Sequence, residues 1–278
     1  MESIRRFDDR VEDYERHRPG YPAAVADVLA ERGVARPADV ADIGAGTGKL
    51  AEVFVRDGHR VTLIEPNAAM RAVAERAFAA PRTERELHGA AGAGAAAASA
   101  EAPSSGVPAA PRAIVRAGTA EATGLPDGSV DAITAGQAFH WFEPVATRRE
   151  WRRILRPGGV ALLVWNDRRT QSSPVLADYE ELLRRHCPDY AEVQRAAPGE
   201  AAVRAFLGPS AALSSFDNEQ VLDWPGLLGR AMSASYVPKS GPAHEAFVAG
   251  LRLSFEHHAV AGRVRLPYDT RVFHGLLD

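Results

Sequence analysis

The chain has 278 residues, 46% of them hydrophobic, and a formal net charge of −3. These values suit one large α/β domain or two small ones with a sizeable core, and the weak negative charge gives no general attraction to nucleic acid or anionic membranes. The single cysteine, Cys187, excludes a disulfide framework, and no cluster of His, Asp and Glu has metal-ligand spacing. The N-terminus has no apolar signal core and no apolar run could span a bilayer, so a cytoplasmic location is expected.

The first 33 residues predict two short helices. Phe7, Val11 and Tyr14 are spaced i, i+4 and i+7 among charged residues, which is typical of one apolar helix face. Two prolines then interrupt the chain, and a second helix is predicted over 23–32.

A glycine-rich turn follows the first predicted strand. Asp42 ends the apolar run, glycines stand at alternating positions over 44–48, and a helical pattern begins, which predicts strand, tight turn and helix. Such a turn lets a nucleotide-like ligand approach exposed backbone N–H groups. The spacing does not fit the dinucleotide fingerprint, because Lys49 replaces its last glycine. It does not fit a P-loop either, because Leu50 replaces the Ser or Thr that would bind magnesium.

The second predicted strand ends on an acidic residue. Val61–Ile64 is a buried-strand run, and Glu65 and Pro66 follow it. In an open parallel sheet, ligands lie beyond the carboxyl ends of the strands, where a carboxylate can accept hydrogen bonds from both hydroxyls of a ribose. Glu65 is therefore the strongest single candidate for a ligand contact. The alternative is an exposed loop carboxylate.

Residues 88–111 differ from the rest of the chain because they are almost entirely Ala, Gly, Ser and Pro. Such a segment cannot bury enough surface to offset its conformational entropy. We interpret it as a flexible surface insertion between a helix and a strand, without a catalytic role. The next strands are predicted over 113–117, 130–135 and 160–165, with a helix over 144–155 that the turn Arg156–Gly159 ends.

In this order, the motifs resemble those of the class I S-adenosylmethionine (SAM) dependent methyltransferases, and of their type 11 small-molecule subgroup. The likeness covers roughly residues 7–166. It is carried by the glycine turn, Glu65, Gly118–Glu121, Gln137–Trp141 and the Pro-Gly-Gly turn. It implies a Rossmann-like, doubly wound α/β sheet of seven strands, mostly parallel with the last strand antiparallel, and helical cap elements. It also implies a single domain over residues 1–278, in which residues 1–33 cover the cofactor site.

The likeness assigns cofactor contacts residue by residue. The residues implied to contact SAM are Tyr14, Arg18, Asp42, Gly44, Ala45, Gly46, Glu65, Pro66, Met70, Thr119, Ala120, Glu121, Gln137 and Ala138. Arg18 would pair with a carboxylate, and the alternative is a solvated arginine beside a tyrosine that packs its helix. Met70 would flank the adenine ring, or else belong to the core.

His140 is the one candidate for a catalytic residue. An unperturbed pKa near 6.5 suits a general base that takes a proton from a substrate hydroxyl or amine. The alternative is a structural histidine that orients Trp141, since the sequence identifies no partner for the ring. His140 and Trp141 also lie in the loop that would separate cofactor from substrate.

Beyond the fifth strand the resemblance is weaker. Helices are predicted over 174–186, 201–207, 226–232 and 242–257, and strands over 213–221 and 264–273, so that residues 167–260 supply the last strands and a substrate cap. The candidate substrate contacts are His140, Trp141, Asn166 and Tyr236; Tyr268 is a further candidate, with a buried tyrosine as the alternative. Arg168, Arg230 and Arg271 are candidates for pairing with a substrate carboxylate, and the sequence does not choose among them.

The predicted function is transfer of the SAM methyl group to an O, N or C nucleophile of a small molecule by in-line displacement. A monomer or homodimer is expected, with no nucleic acid, membrane or metal partner. Three rival functions stay open: a methyltransferase-like protein that binds SAM without methyl transfer, an enzyme that uses SAM for another displacement such as a cyclisation, and an NAD-dependent oxidoreductase. The Gly48-Lys49 spacing argues against the last.

Overall fold

One seven-stranded sheet organises the chain, in a computed structural model that describes residues 11–79, 112–196 and 198–277. The strands are β1 (Asp39–Ile43), β2 (Arg60–Ile64), β3 (Ala113–Arg116), β4 (Val130–Gly136), β5 (Leu155–Arg168), β6 (Ala212–Leu222) and β7 (Val264–Leu276). Their order across the sheet is β3-β2-β1-β4-β5-β7-β6. Strands β1 to β5 pair in parallel, and β7 is antiparallel to both of its neighbours. The predicted fold class is therefore confirmed.

Helices lie on both faces of this sheet. They are α1 (Val11–His17), α2 (Asp27–Glu31), α3 (Ala51–Arg56), α4 (Ala68–Ala79), α5 (Pro144–Ile154), α6 (Pro174–His186), α7 (Tyr190–Ala196), α8 (Glu200–Leu207), α9 (Trp224–Met232) and α10 (Pro242–His258). Successive residues of a strand point to opposite faces. Leu162 accordingly packs in one buried cluster and Leu163 in the other, so the central strands are apolar at nearly every position.

A third buried cluster forms the cap. Tyr179, Phe247 and Leu251 join helices α6 and α10 there, and the cluster extends to β7 through Tyr268. Helix α1 packs against α9 and α4, so the N-terminal segment bridges the cap and the sheet. Among the residues that the structure describes, no helix is long and apolar enough to cross a membrane.

Three details differ from the sequence-based predictions. The helix expected over 23–32 is a 3-10 turn (Ala23–Val25) followed by α2, and α7 was not predicted. Strand β5 begins at Leu155, so the expected turn Arg156–Gly159 lies within its first residues, where the register against β4 shifts. A bulge of this kind absorbs residues that otherwise end a strand. Phe7 and the predicted insertion at 88–111 lie outside the described residues.

Candidate active site

A cleft opens at the carboxyl ends of β1, β2 and β4, beside the segment that follows β3. Its empty volume, counting the open mouth, is about 910 Å³. It is lined by Tyr14, Gly44, Gly46, Glu65, Pro66, Asn67, Met70, Thr119, Ala120, Glu121, Gly136, Gln137, Ala138, Trp141 and Phe142. A smaller cavity continues from it and is bordered by Arg18, Asp42 and Ala45. All fourteen predicted cofactor contacts thus border one or both of these adjoining cavities.

The glycine turn needs glycine for two different reasons. Gly44 has φ +64°, and a Cβ there would lie 2.8 Å from the Cβ of Ala138, so the turn and the loop after β4 approach too closely for a side chain. Gly46 has φ +57°, and no atom lies within 4 Å of the position that its Cβ would take. The positive φ favours glycine at this position. Because glycine has no side chain, the backbone here faces open space.

Glu65 is held inside the cleft by the backbone. The N–H of Gly46 donates to its Oε2 over 2.9 Å, and the N–H of Asn67 donates to its Oε1 over 2.8 Å. The side chain is buried, and burial raises the pKa of this carboxyl, while the two N–H groups act in the opposite direction. Each carboxylate oxygen has a further lone pair, so Glu65 can accept hydrogen bonds from a ligand without reorganising.

Asp42 is a second buried carboxyl at the base of the turn. Its side chain is fully buried, and the hydroxyl of Thr134 donates to Oδ1 over 2.8 Å. Its Oδ2 has no hydrogen-bond partner among the described residues. Burial, with the negative charge of Glu65 nearby, raises the pKa of Asp42 to about 7, while the hydrogen bonds from Thr134 and from the backbone N–H of Ala51 act in the opposite direction. A buried acceptor without a donor is rare in native structures and fits a site that a ligand's N–H or cationic group completes.

The segment after β3 borders the far end of the cleft. Glu121 accepts from the N–H of Glu143 over 2.9 Å, which ties this segment to the start of α5. Glu150 ties it a second time, because its Oε1 accepts from the N–H and the hydroxyl of Thr123 and from Arg153. Arg153 in particular lowers the pKa of Glu150 to about 2. The position of Thr119–Glu121 therefore depends on α5.

Replacing Glu150 by glutamine is expected to lower the free energy of unfolding at pH 7 by about 1–3 kcal/mol, since hydrogen bonds to a charged group are lost. A carboxyl with a lowered pKa stabilises the fold above its unfolded pKa, near 4.5, and stops doing so as the pH falls toward 2. The gap between wild type and variant should therefore narrow at pH 3. Urea titrations at both pH values measure it, with the exposed Glu192 changed to glutamine as the control. If wild type and the Glu150 variant differed in free energy of unfolding by the same amount at both pH values, the ionised Glu150 would not stabilise the fold.

A second cavity lies under the cap and meets the cleft at Tyr14, Gln137 and Trp141. It is lined by Tyr14, Arg18, Gln137, His140, Trp141, Trp165, Asn166, Asp167, Arg168, Thr170, Glu180, Tyr190, Val193, Gln194, Arg230, Ser235 and Tyr236. The four predicted substrate contacts are all among these residues. Asn166 already makes hydrogen bonds to Gly20, Asn218 and Thr270, so most of its amide is committed to joining β5, β6 and β7.

His140 lies in a 3-10 turn (Phe139–Trp141) between the cleft and the cap cavity. Its ring centroid is 4.6 Å from that of Trp141, and none of the described residues forms a hydrogen bond with its imidazole. Burial lowers the pKa of His140 to about 4. The ring is thus neutral at pH 7 and can accept a hydrogen bond, but it is a weak base, and no carboxylate among the described residues pairs with it to strengthen it.

The structure distinguishes the three candidate arginines. Arg168 pairs with Glu180 over 3.0 Å, and Arg271 pairs with Glu200 over 2.6 Å. Arg230 is 4% exposed, and its Nε and Nη1 have no hydrogen-bond partner among the described residues. Tyr268, the further substrate candidate, is buried, and its hydroxyl donates to Gln220 over 2.9 Å, as expected of a buried structural tyrosine.

Sequence reasoning missed some lining residues. Asn67 borders the cleft, and its Oδ1 accepts from the N–H of Met70 at the start of α4. An asparagine just before a helix is a common N-cap, so this signal was available. Tyr190 and Gln194 border the cap cavity from α7, a helix that was not predicted. In the described ranges, no group of three or more His, Cys, Asp or Glu side chains could hold a metal ion.

The strand order, the glycine turn and the acidic residue after β2 define a class I methyltransferase fold. Residues 41–163 match the type 11 family, whose description is a methyltransferase domain. The chain is 35% identical to an uncharacterized methyltransferase of Mycobacterium tuberculosis over 162 aligned residues. The aligned residues cover 58% of this chain and 52% of the relative. The chain therefore spans about half the length of the curated relatives it matches.

Solved structures agree with this fold. A protein provisionally assigned as a type II methyltransferase, from Anaeromyxobacter dehalogenans, superposes with a TM-score of 0.62 at 23% identity, over 94% of this chain and 98% of the other. A protein provisionally assigned as a methyltransferase of an antibiotic biosynthesis pathway, from Anabaena variabilis, gives a TM-score of 0.51 at 18% identity, over the same shares of the chains. The resemblance to class I methyltransferases is confirmed, and residues 41–163 match the model of a methyltransferase domain.

Proposed function

We propose that the protein transfers a methyl group from SAM to a nucleophile of a small molecule. The observation that carries this proposal is the carboxylate of Glu65, which two backbone N–H groups hold inside the cleft at the end of β2. A buried carboxylate with free lone pairs at this position suits a ribose diol. The matched methyltransferase domain supports the same function.

The residues of the cleft fit SAM at both ends. The unpartnered Oδ2 of Asp42 suits the ammonium group of the methionyl part, and the unpartnered Nε of Arg18 suits its carboxylate. The open space above Gly46 leaves room for that part of the cofactor. Met70 and Thr119–Glu121 border the end of the cleft that would take the adenine.

When bound, SAM supplies a methyl group that its sulfonium sulfur already activates. The protein's task is then to hold the nucleophile about 3 Å from the methyl carbon and to exclude water. Trp141 and Gln137 border both the cleft and the cap cavity, which supports a transfer at the junction of the two. A cavity under a helical cap suits a small molecule better than a polymer, and we propose a cytoplasmic enzyme without a nucleic-acid partner.

The proposed role of His140 is to contact the acceptor as a neutral hydrogen-bonding group. Its pKa of about 4 leaves it too weak a base to deprotonate an alcohol at neutral pH. An acceptor that needs little deprotonation, such as a carboxylate or a neutral amine, is consistent with this environment. Replacing His140 should therefore change acceptor affinity more than the pH dependence of turnover.

Calorimetric titration with SAM and S-adenosylhomocysteine, with NADH as the control, tests the proposal. Micromolar binding of the sulfur ligands without NADH binding is expected. NADH binding, or no binding of either sulfur ligand with or without candidate acceptors, would contradict it. Product analysis then distinguishes methyl transfer from the two rival uses of SAM: S-adenosylhomocysteine indicates methyl transfer, methylthioadenosine indicates a cyclisation, and tight binding without turnover indicates a binding protein.

A further inference from the structure

We propose that the methyl acceptor is an organic anion and that Arg230 binds its anionic group in the cap cavity. This inference rests on the proposed methyl transfer and names the chemical class of its acceptor. The group would be a carboxylate or a phosphate, since both present charged oxygen atoms to a guanidinium.

Arg230 is buried at the edge of a cavity without the hydrogen-bond partners that a guanidinium normally has. It lies on α9, is 4% exposed, and borders both the cap cavity and the adjoining cavity below it. Its Nε and Nη1 have no hydrogen-bond partner among the described residues. Burial of an unpaired charge is strongly unfavourable, and buried charges in proteins are normally paired. An anionic ligand group would supply the missing acceptor.

The charges around the cavity leave a positive excess. Arg168 is neutralised by Glu180 and also donates to the hydroxyl of Tyr190. The carboxylate of Asp167 faces Arg271, 3.5 Å away. Arg18 and Arg230 are close enough for Arg230 to lower the pKa of Arg18, after the larger effect of burial.

Arg18 and Arg230 have no ion pair with a described carboxylate. The ion pair of Glu15 is with Lys49, 3.9 Å away. Arg18 instead donates to the carbonyl of Ser233 over 3.1 Å and packs over the ring of Tyr14. Two buried guanidinium groups therefore share one region, and neither forms an ion pair within 4 Å with a described carboxylate.

The phenol of Tyr236 lies in the same positive field and accepts a hydrogen bond from Arg168. Burial alone would raise its pKa, but Arg168, Arg18 and Arg230 outweigh burial and lower it. A region that stabilises a phenolate will also stabilise a carboxylate or a phosphate at the same place.

One cofactor carboxylate neutralises the charge of only one of the two arginines. SAM brings a single carboxylate, and the Nε of Arg18 is already available for it. Among the described residues no further carboxylate pairs with these arginines, and the acceptor would supply the second negative charge. The cap cavity extends past Arg230 to Tyr236, Gln194 and Thr170, none of which borders the cofactor cleft, so there is space for a second molecule.

The test compares wild type with Arg230→Met, Arg230→Lys and the control Arg265→Met. Arg265 pairs with Glu219 on the surface and does not line the cap cavity. Calorimetry with S-adenosylhomocysteine comes first, and all four proteins should bind it within about threefold of each other. Thermal melts check the fold, and the lysine variant keeps the charge if the methionine variant does not fold. No binding to wild type would refute the proposed function itself.

Tritiated SAM is then used to screen matched sets of small carboxylates, phosphates and the corresponding amides. We expect the enzyme to methylate acids but not the corresponding amides. Comparison of the carboxylates with the phosphates then shows which anion Arg230 binds. The Kd of the best acid for the S-adenosylhomocysteine complex should rise at least tenfold in Arg230→Met, less in Arg230→Lys, and not in Arg265→Met. The proposal is overturned if no acid is an acceptor, if amides serve equally well, if the methionine variant binds the acid normally, or if it loses S-adenosylhomocysteine instead.

Discussion

Changing Glu65 to alanine or glutamine should weaken S-adenosylhomocysteine binding by about 1–3 kcal/mol, or roughly 10- to 100-fold in Kd. The carboxylate is fixed by the N–H groups of Gly46 and Asn67, so it meets the ligand without a reorganisation cost. Glutamine would turn an NH₂ group toward one of those N–H donors, and alanine would leave both without an acceptor. Both variants should therefore bind S-adenosylhomocysteine more weakly, while their secondary structure stays close to that of wild type.

Calorimetry measures this loss, and Glu75→Gln is the matched control because Glu75 is exposed on α4, outside the cleft. The control should bind S-adenosylhomocysteine like wild type. Thermal melts show whether lost affinity reflects lost folding. Unchanged affinity in a folded Glu65 variant would remove Glu65 from the cofactor site.

Changing Asp42 to asparagine should stabilise the fold at pH 8 by about 4 kcal/mol and weaken cofactor binding at the same time. The pKa of Asp42 is raised from 3.8 to about 7, mainly by burial. At about 1.4 kcal/mol for each pH unit, ionising this carboxyl in the folded protein costs on the order of 4 kcal/mol. Asparagine avoids that cost and keeps an oxygen acceptor for Thr134, but it has no charge for an ammonium group.

The direction with pH follows from proton linkage. The folded state binds the proton of Asp42 more tightly than the unfolded state, so this group favours folding most below pH 4 and loses that contribution as the pH rises to about 7. The advantage of the asparagine variant should therefore be small near pH 4 and largest at pH 8. Urea titrations at pH 5 and pH 8 measure the difference.

Asp39 lies on the same strand as Asp42 and serves as a control, because its pKa is lowered where that of Asp42 is raised. Arg60 in particular lowers the pKa of Asp39, so Asp39→Asn should destabilise the fold at pH 8. If Asp42→Asn also destabilises the protein at pH 8, Asp42 is not an ionised, poorly paired carboxyl in the folded state. The proposed ammonium contact would then lose its basis.

The strands that pack against helices on both faces were predictable because their sequences are continuous apolar runs. Val61–Ile64 is an example, and Glu65 could be located from the rule that parallel strands present their carboxyl ends at one edge. The start of β5 was not predictable, because Pro157 and two glycines normally end a strand, and only the register shift against β4 accommodates them.

The choice among the arginines also required the folded structure. Arg168 is neutralised by a residue 12 positions away, and Arg271 by one 71 positions away. Neither separation is a helical i, i+4 spacing that a sequence pattern reveals. Arg230 differs from the other two because its Nε and Nη1 have no hydrogen-bond partner among the described residues. This difference can be recognised only in the folded structure, where the neighbouring side chains are known.

The insertion of β7 between β5 and β6 has a consequence for synthesis on the ribosome. Strands β1 to β5 can pair with one another as they leave the exit tunnel. Strand β6 emerges next, but β7, its neighbour in the sheet, is synthesised later. Until then β5 and β6 each have an unpaired edge. Until the segment beyond residue 264 is translated, the nascent chain exposes the two strand edges that β7 later covers, and contact with other chains is most hazardous in that interval.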